Sequence, residues 1–174
     1  MNLERLRGIA REELDRAIAT LRETGSVHMS LTLVKRDEGI EMMVIDGALT
    51  NDEGFKADLG RKIKARVDAG EIQAVMMVSD TFFAANTTPE NDAIRRRLRL
   101  TIEEAHAFGL CEKREAVLVT VESPIYAAHM QQEYRRVDGA KRIELVGEPI
   151  IANDADGTMQ RRSARFSGYW SAPR

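Results

Sequence analysis

Residues 125–151 read IYAAHMQQEYRRVDGAKRIELVGEPII and decide the expected fold. Apolar and polar residues alternate along 125–137, as in a strand with one buried face, because successive side chains of a strand point to opposite sides. Asp138-Gly139 is a turn signal, and residues 141–151 supply the returning strand. This stretch predicts a long antiparallel hairpin.

A second hairpin is predicted near the beginning of the chain. Residues 27–34 alternate between two faces, residues 36–39 supply a turn, and residues 40–45 form the second strand. Hairpins at both ends favour a mixed, mainly antiparallel sheet over the parallel sheet of a doubly wound fold.

Three helices are predicted between and before these strands. Residues 2–24 carry apolar residues at three- and four-residue spacing, which is typical of a helix that lies on a sheet. The second helix begins at Asn51 or Asp52 and ends at Gly70. The third begins at Thr88, where a capping hydroxyl precedes a proline, and runs to about Phe108.

Apolar strands at residues 72–78 and 116–122 complete the order α-β-β-α-β-α-β-β-β. We predict one α+β domain over residues 1–174, built in two layers with the helices on one face of the sheet. Residues 158–174 form a basic, aromatic C-terminal segment that contains Arg161, Arg162, Arg165 and Arg174 with Phe166, Tyr169 and Trp170.

Composition narrows the classes of function. The chain has 174 residues, a net charge of −2 and one cysteine, Cys111. A single thiol cannot form an internal disulfide, and no apolar run approaches the roughly 20 residues that cross a bilayer. These features predict a cytoplasmic protein with no membrane partner. A dedicated nucleic-acid binder usually carries a clear excess of positive charge, which this chain as a whole lacks.

Two segments carry a resemblance. Residues 74–84 read AVMMVSDTFFA, a strand that ends in a polar and aromatic step, and residues 111–120 read CEKREAVLVT, a charged run that opens a strand. Over roughly residues 70–125 the chain resembles a group of bacterial α/β proteins to which no activity is assigned. The resemblance implies a bacterial, cytosolic protein and no particular chemistry.

Motifs for cofactors and metals are missing from the sequence. It contains no GxGxxG or GxxxxGK[ST] motif, and His28, His106 and His129 have no second ligand at a metal-site spacing. We therefore expect no cofactor and no metal site. A small-molecule site remains an alternative: Asp46 and Asp80 each follow a buried strand, and His28 and His129 lie on predicted strands that could meet them.

Arginines crowd the third helix. Arg95, Arg96 and Arg99 are among them, and acids along the same helix balance their charge, which favours an exposed, charge-laced surface. RNA or DNA binding through these residues is a further alternative. The interpretation that we favour is a binding or structural protein that forms a homodimer or larger homo-oligomer. It rests on the narrow apolar stripe of residues 3–21, the terminal hairpin and the aromatic C-terminal segment.

Overall fold

The computed structural model describes residues 1–139 and 142–153, without the side chains of Thr50 and Asn51. The expectations for residues 158–174 lie outside the described residues. The helices are α1 Leu3–Thr24, α2 Glu53–Asp68, α3 Pro89–Leu98 and α4 Ile102–Ala107, with a 3-10 turn at Gly47–Asn51. The strands are β1 Ser30–Lys35, β2 Ile40–Val44, β3 Ile72–Ala85, β4 Glu112–Glu122, β5 Ala127–Val137 and β6 Arg142–Asn153.

The described strands form one sheet in the order β2-β1-β3-β4-β5-β6. All their pairings are antiparallel, and one row across the sheet runs from Val78 through Val119 and Met130 to Ile151. The α+β class and both predicted hairpins are confirmed. The pairing is simpler than the mixed sheet that the sequence allowed, because each neighbouring pair of strands runs in opposite directions.

Helix α1 covers one face of the sheet. The Asn2 side chain accepts from the backbone N–H of Arg5 at its start, and Gly25 ends it at φ 79, a left-handed conformation that glycine adopts without strain. Leu6, Leu14 and Leu21 are buried against Met76 and other apolar residues of the central strands. The apolar stripe of α1 is therefore used within its own chain.

Helix α2 packs on the opposite face, which differs from the expected single helical layer. Ile63 of α2 packs against Leu31 and Val75, whereas their strand neighbours Val34 and Met76 belong to the cluster beneath α1. Strands β1 and β3 are apolar on both sides, so each face needs a cover. Helices on one face alone would leave half of these side chains in water.

Strand β3 is longer than the sequence predicted. It continues to Ala85, beyond the predicted strand at residues 72–78, and this extension pairs with β4 from Asp80 opposite Val117 to Ala85 opposite Glu112. Thr81, Phe82 and Phe83 are β-branched or aromatic residues that suit a strand. Asp80 consequently lies inside a strand and not beyond its end.

The predicted third helix is two helices. Arg99 adopts φ 54, which ends α3, and Thr101 begins α4 with a reciprocal capping box that includes Glu104. The side chains of Ile94, Leu98 and Phe108, which one continuous helix would place on a single apolar face, are exposed. A three-residue break between the helices prevents them from sharing one continuous buried face.

Candidate functional site

Asp80 lies in a polar cluster near the C-terminal end of α1. Its Oδ1 accepts a 2.7 Å hydrogen bond from the Tyr134 hydroxyl. Arg136 donates from Nη2 to that hydroxyl at 3.1 Å, from Nε to Glu115 Oε1 at 3.1 Å and from Nη1 to the carbonyl of Gly25 at 2.7 Å. The cluster ties strands β3, β4 and β5 to the end of α1.

The electrostatics of this cluster favour a structural role, in which Tyr134 and Arg136 hold the strands together. Tyr134 is 2% exposed, and burial, followed by the hydrogen bond to Asp80, raises the pKa of its phenol well above the usual range. The hydroxyl therefore stays protonated and donates to the carboxylate. Every functional group of Tyr134 and Arg136 is directed at a protein partner, an arrangement that fixes the strands and offers no free nucleophile.

The other residues of the predicted small-molecule site lie apart from Asp80. Asp46 is exposed and its side chain caps the 3-10 turn by accepting from Ala48 N at 2.9 Å. His28 is exposed and precedes β1, and His129 lies on the opposite face of the sheet from Asp80, as the strand pairing requires. Among the described residues, no hydrogen bond or ion pair joins Asp80 to any of these three.

His129 has an unusual environment. It pairs across the strands with Thr120, and both His129 Nε2 and Thr120 Oγ1 are buried without a hydrogen-bond partner among the described residues. Burial lowers the pKa of His129, because a low-dielectric surrounding disfavours the imidazolium. The imidazole is therefore neutral near pH 7.

The arginines of α3 are engaged locally. Arg95 and Arg96 both contact Asp92, at 2.8 and 2.7 Å, and Arg99 occupies the C-cap of the helix. These ion pairs form part of the exposed, charged surface that the sequence indicated. These contacts add no support to the prediction of RNA or DNA binding through Arg95, Arg96 and Arg99, which stays a prediction.

Strand β2 presents an open edge. Two hydrogen bonds of 2.8 Å, Ile45 N to Met29 O and Lys35 N to Gly39 O, frame its pairing with β1. Because hydrogen-bonded pairs alternate in an antiparallel ladder, Glu41 and Met43 bond inward to β1. The N–H and C=O groups of Ile40, Met42 and Val44 point outward, where no described residue meets them. We call these three residues the open edge.

The open edge is also apolar. Ile40, Met42 and Val44 are 47%, 44% and 64% exposed, and their side chains share the α1 side of the sheet. The one charged residue of β2, Glu41, is engaged with Arg66 and Lys35 at 2.9 and 3.3 Å. Its hydrogen bonds to Arg66 and Lys35 lower the pKa of Glu41 to about 2.

Strand β6, at the other end of the described sheet, is protected. Its pairing with β5 shifts register between Gln131 and Glu133, Gly147 adopts φ 64, and Pro149 lacks an N–H. The Gln132 amide donates to the carbonyls of Val146 and Gly147, at 3.2 and 3.3 Å. A bulge and a proline are devices by which sheet edges avoid pairing with other chains.

Two grooves flank α1. One, of about 560 Å³, lies beside Leu6, Val67 and Pro124 at the N-terminal end of the helix. The other, of about 460 Å³, lies between α1 and strands β5 and β6, and Arg7 and Arg11 stand on its rim. We call the second one the arginine groove.

Comparisons with known proteins do not identify a function. No family model matches the chain, and neither do any curated proteins or solved structures. In residues 1–139 and 142–153, no helix is long and apolar enough to cross a membrane. The same residues contain no group of three or more His, Cys, Asp or Glu side chains placed to hold a metal ion.

Sequence reasoning missed the open edge, although a signal was present. Residues 40–45 contain no lysine and no proline, two residues that commonly protect an edge strand. The sequence could not show that β2 lies at the edge of the sheet. That position follows from the pairing of β1 with β3 on its other side.

Proposed function

We propose that the protein is a self-associating binding protein whose open edge pairs with the open edge of a second copy. The observation that supports this is the coincidence, on Ile40, Met42 and Val44, of exposed apolar side chains and backbone groups that no described residue meets. An edge with both properties is a template for strand addition. A homodimer would join two sheets into one continuous antiparallel sheet.

A two-fold axis beside Met42 satisfies the geometry. Met42 then faces the partner's Met42, and Ile40 faces the partner's Val44. Both pairs are of the hydrogen-bonded kind, so each outward N–H meets a carbonyl of the other chain. The apolar side chains meet on the α1 side, where cross-strand pairs of this type stabilise a sheet.

Charge is compatible with this pairing. In the proposed register Glu41 lies opposite the partner's Met43, on the α2 side, and no carboxylate faces another. Glu41 is already neutralised within its own chain by Arg66 and Lys35. The dimer would therefore form without like-charge repulsion along the strand.

The expected strength of the association follows from the small area of the interface. A five-residue strand with three exposed apolar side chains buries an area at the low end of specific interfaces, below about 1,200 Å² in total. We expect a dissociation constant on the order of micromolar. The buried, free Cys111 supports a reducing compartment, and we propose the bacterial cytoplasm as the location.

Analytical ultracentrifugation of the full chain over a range of concentrations tests the proposal. Wild type should show a concentration-dependent monomer–dimer equilibrium. Met42→Lys should be monomeric throughout, because lysine on an edge strand opposes pairing. The control is Ile150→Lys on β6, another exposed apolar residue of an edge strand, which is 65% exposed against 44% for Met42.

The control should dimerise as wild type does. Circular dichroism would establish that both variants are folded. A wild-type chain that sediments as a monomer at concentrations well above micromolar, or equal dimerisation of Met42→Lys and wild type, would refute the proposed function.

A further inference from the structure

The arginine groove combines features that no part of the proposed dimer uses. Its floor includes the side chains of Met130 and Ile151, which are cross-strand partners on β5 and β6. Its wall is α1, with Gly8 between the two rim arginines. The open edge lies at the other end of the sheet, so the groove is a separate feature.

The two rim cations have no charged partner in the part of the chain that the structure describes. Arg7 and Arg11 are four residues apart on α1 and therefore project from the same side of the helix. Neither guanidinium makes a hydrogen bond or ion pair with any described residue, whereas Arg16, one turn further along, pairs with Glu13. The Arg7 guanidinium lies 5.5 Å from the centroid of the Tyr126 ring.

The floor of the groove is apolar. Met130 is buried and Ile151 half-buried, and both belong to the core region beneath α1. Gly8 leaves the wall open, since a side chain there would meet nothing within 4 Å. The volume of about 460 Å³ falls within the roughly 300–1,000 Å³ that small-molecule sites occupy.

We infer that the arginine groove binds a soluble amphiphile that has an anionic carboxylate or phosphate head and an apolar body. Guanidinium groups bind both kinds of head through paired N–H donors. The hydrocarbon would lie along Met130 and Ile151, where its burial removes apolar surface from water. The two arginines would fix the head at the rim, where it stays accessible to solvent.

Isothermal titration of the full chain with octanoate tests this inference, with octanol, inorganic phosphate and octyl phosphate as comparison ligands. Octanoate and octyl phosphate should bind, and octanol and phosphate should bind at least about tenfold more weakly, since each lacks one half of the recognised chemistry. Phosphatidylglycerol vesicles distinguish a membrane lipid from a free ligand. Binding to vesicles without binding to free octanoate would overturn the inference.

Variants locate the site. Arg11→Gln and Arg7→Gln should each weaken octanoate binding at least about tenfold, because each removes a charge-assisted hydrogen-bond donor to the anionic head. The matched control is Arg22→Gln, an exposed arginine of the same helix outside the groove, which should bind as wild type does. Unchanged affinity in both groove variants would overturn the inference. Met42→Lys should keep its affinity for octanoate, so the outcome is separate from that of the dimer.

Discussion

The two edge strands of the described sheet, β2 and β6, differ in how their unpaired backbone groups are protected from pairing with another chain. Strand β2 has five residues, a single charged side chain that is paired within the chain, and no bulge or proline, whereas β6 has twelve residues and carries a bulge, a proline and several charged side chains. A long edge exposes more unpaired backbone groups, so it is the greater hazard for aggregation. Among the described residues, one edge therefore carries a bulge and a proline that oppose pairing, and the other carries neither.

Protection of β6 has a structural cost that Gln132 offsets. A bulge leaves backbone carbonyls without ladder partners. Gln132 is 1% exposed, and its amide donates to the carbonyls of Glu133, Val146 and Gly147. A buried polar side chain thus maintains an irregular edge, whereas the open edge of β2 needs only regular alternation.

Proline substitutions on β2 should have the largest effects and separate folding from association. Met43→Pro removes an N–H that bonds inward to β1 and should destabilise the fold by about 3 kcal/mol. Met42→Pro removes only an outward N–H, so it should keep most of the stability and abolish the dimer. Urea denaturation and ultracentrifugation measure the two properties.

The opposite ranking of these two proline variants in stability would mean that the outward and inward positions on β2 have been assigned incorrectly. The register of β2 against β1 predicts the ranking without any reference to a partner. It therefore tests the geometry of the edge separately from its use.

Replacement of Gln132 should weaken the protected edge. Gln132→Leu leaves the carbonyls around the bulge without a donor and should lower the free energy of unfolding by about 2–3 kcal/mol. The matched control is Gln131→Leu, on the neighbouring residue and the opposite face, whose side chain makes no hydrogen bond among the described residues. Its effect should stay within about 0.5 kcal/mol.

Urea denaturation of both glutamine variants gives these values. Equal losses of stability would show that the Gln132 amide does not support the bulge.

The two edges also differ in how far the sequence could predict them. Alternation along 125–137 and Asp138-Gly139 predicted the β5–β6 hairpin, because strand period and turn chemistry are local properties. The residues that meet at Asp80 come from β3, β4 and β5, and only the register brings Tyr134 beside it. Local patterns predicted the strands, but neither the Asp80 cluster nor the outward position of Met42 could be derived without the strand order.

Glu41 should make the β2 end of the sheet sensitive to strong acid. Its folded-state pKa is about 2, against 4.5 for an unperturbed glutamate, so its ion pairs stabilise the fold above pH 4.5 and are lost as the pH falls towards 2. Glu41→Gln should cost about 0.5–1 kcal/mol at pH 7, since the carboxylate is partly exposed and screened. Wild type and variant should converge in stability near pH 2, as urea denaturation would show.

Persistence of the full difference between wild type and Glu41→Gln at pH 2 would contradict the ion-pair origin of the effect. Lys62, whose partner Asp58 lies on the exposed side of α2, offers a comparison: Lys62→Gln should change stability by less than Glu41→Gln at pH 7.

His129 should give the β6 half of the sheet a smaller dependence in a different pH window. Because burial lowers its folded-state pKa below 6.5, the unfolded chain binds more protons, and stability is full above pH 6.5 and falls as the pH drops below it. His129→Gln should flatten this part of the profile. Urea midpoints between about pH 5 and 8 measure the slopes. If stability depends on pH with the same slope in wild type and His129→Gln, the dependence comes from other groups. If Glu41 and His129 act in separate pH windows, the two halves of the sheet lose stability through different residues.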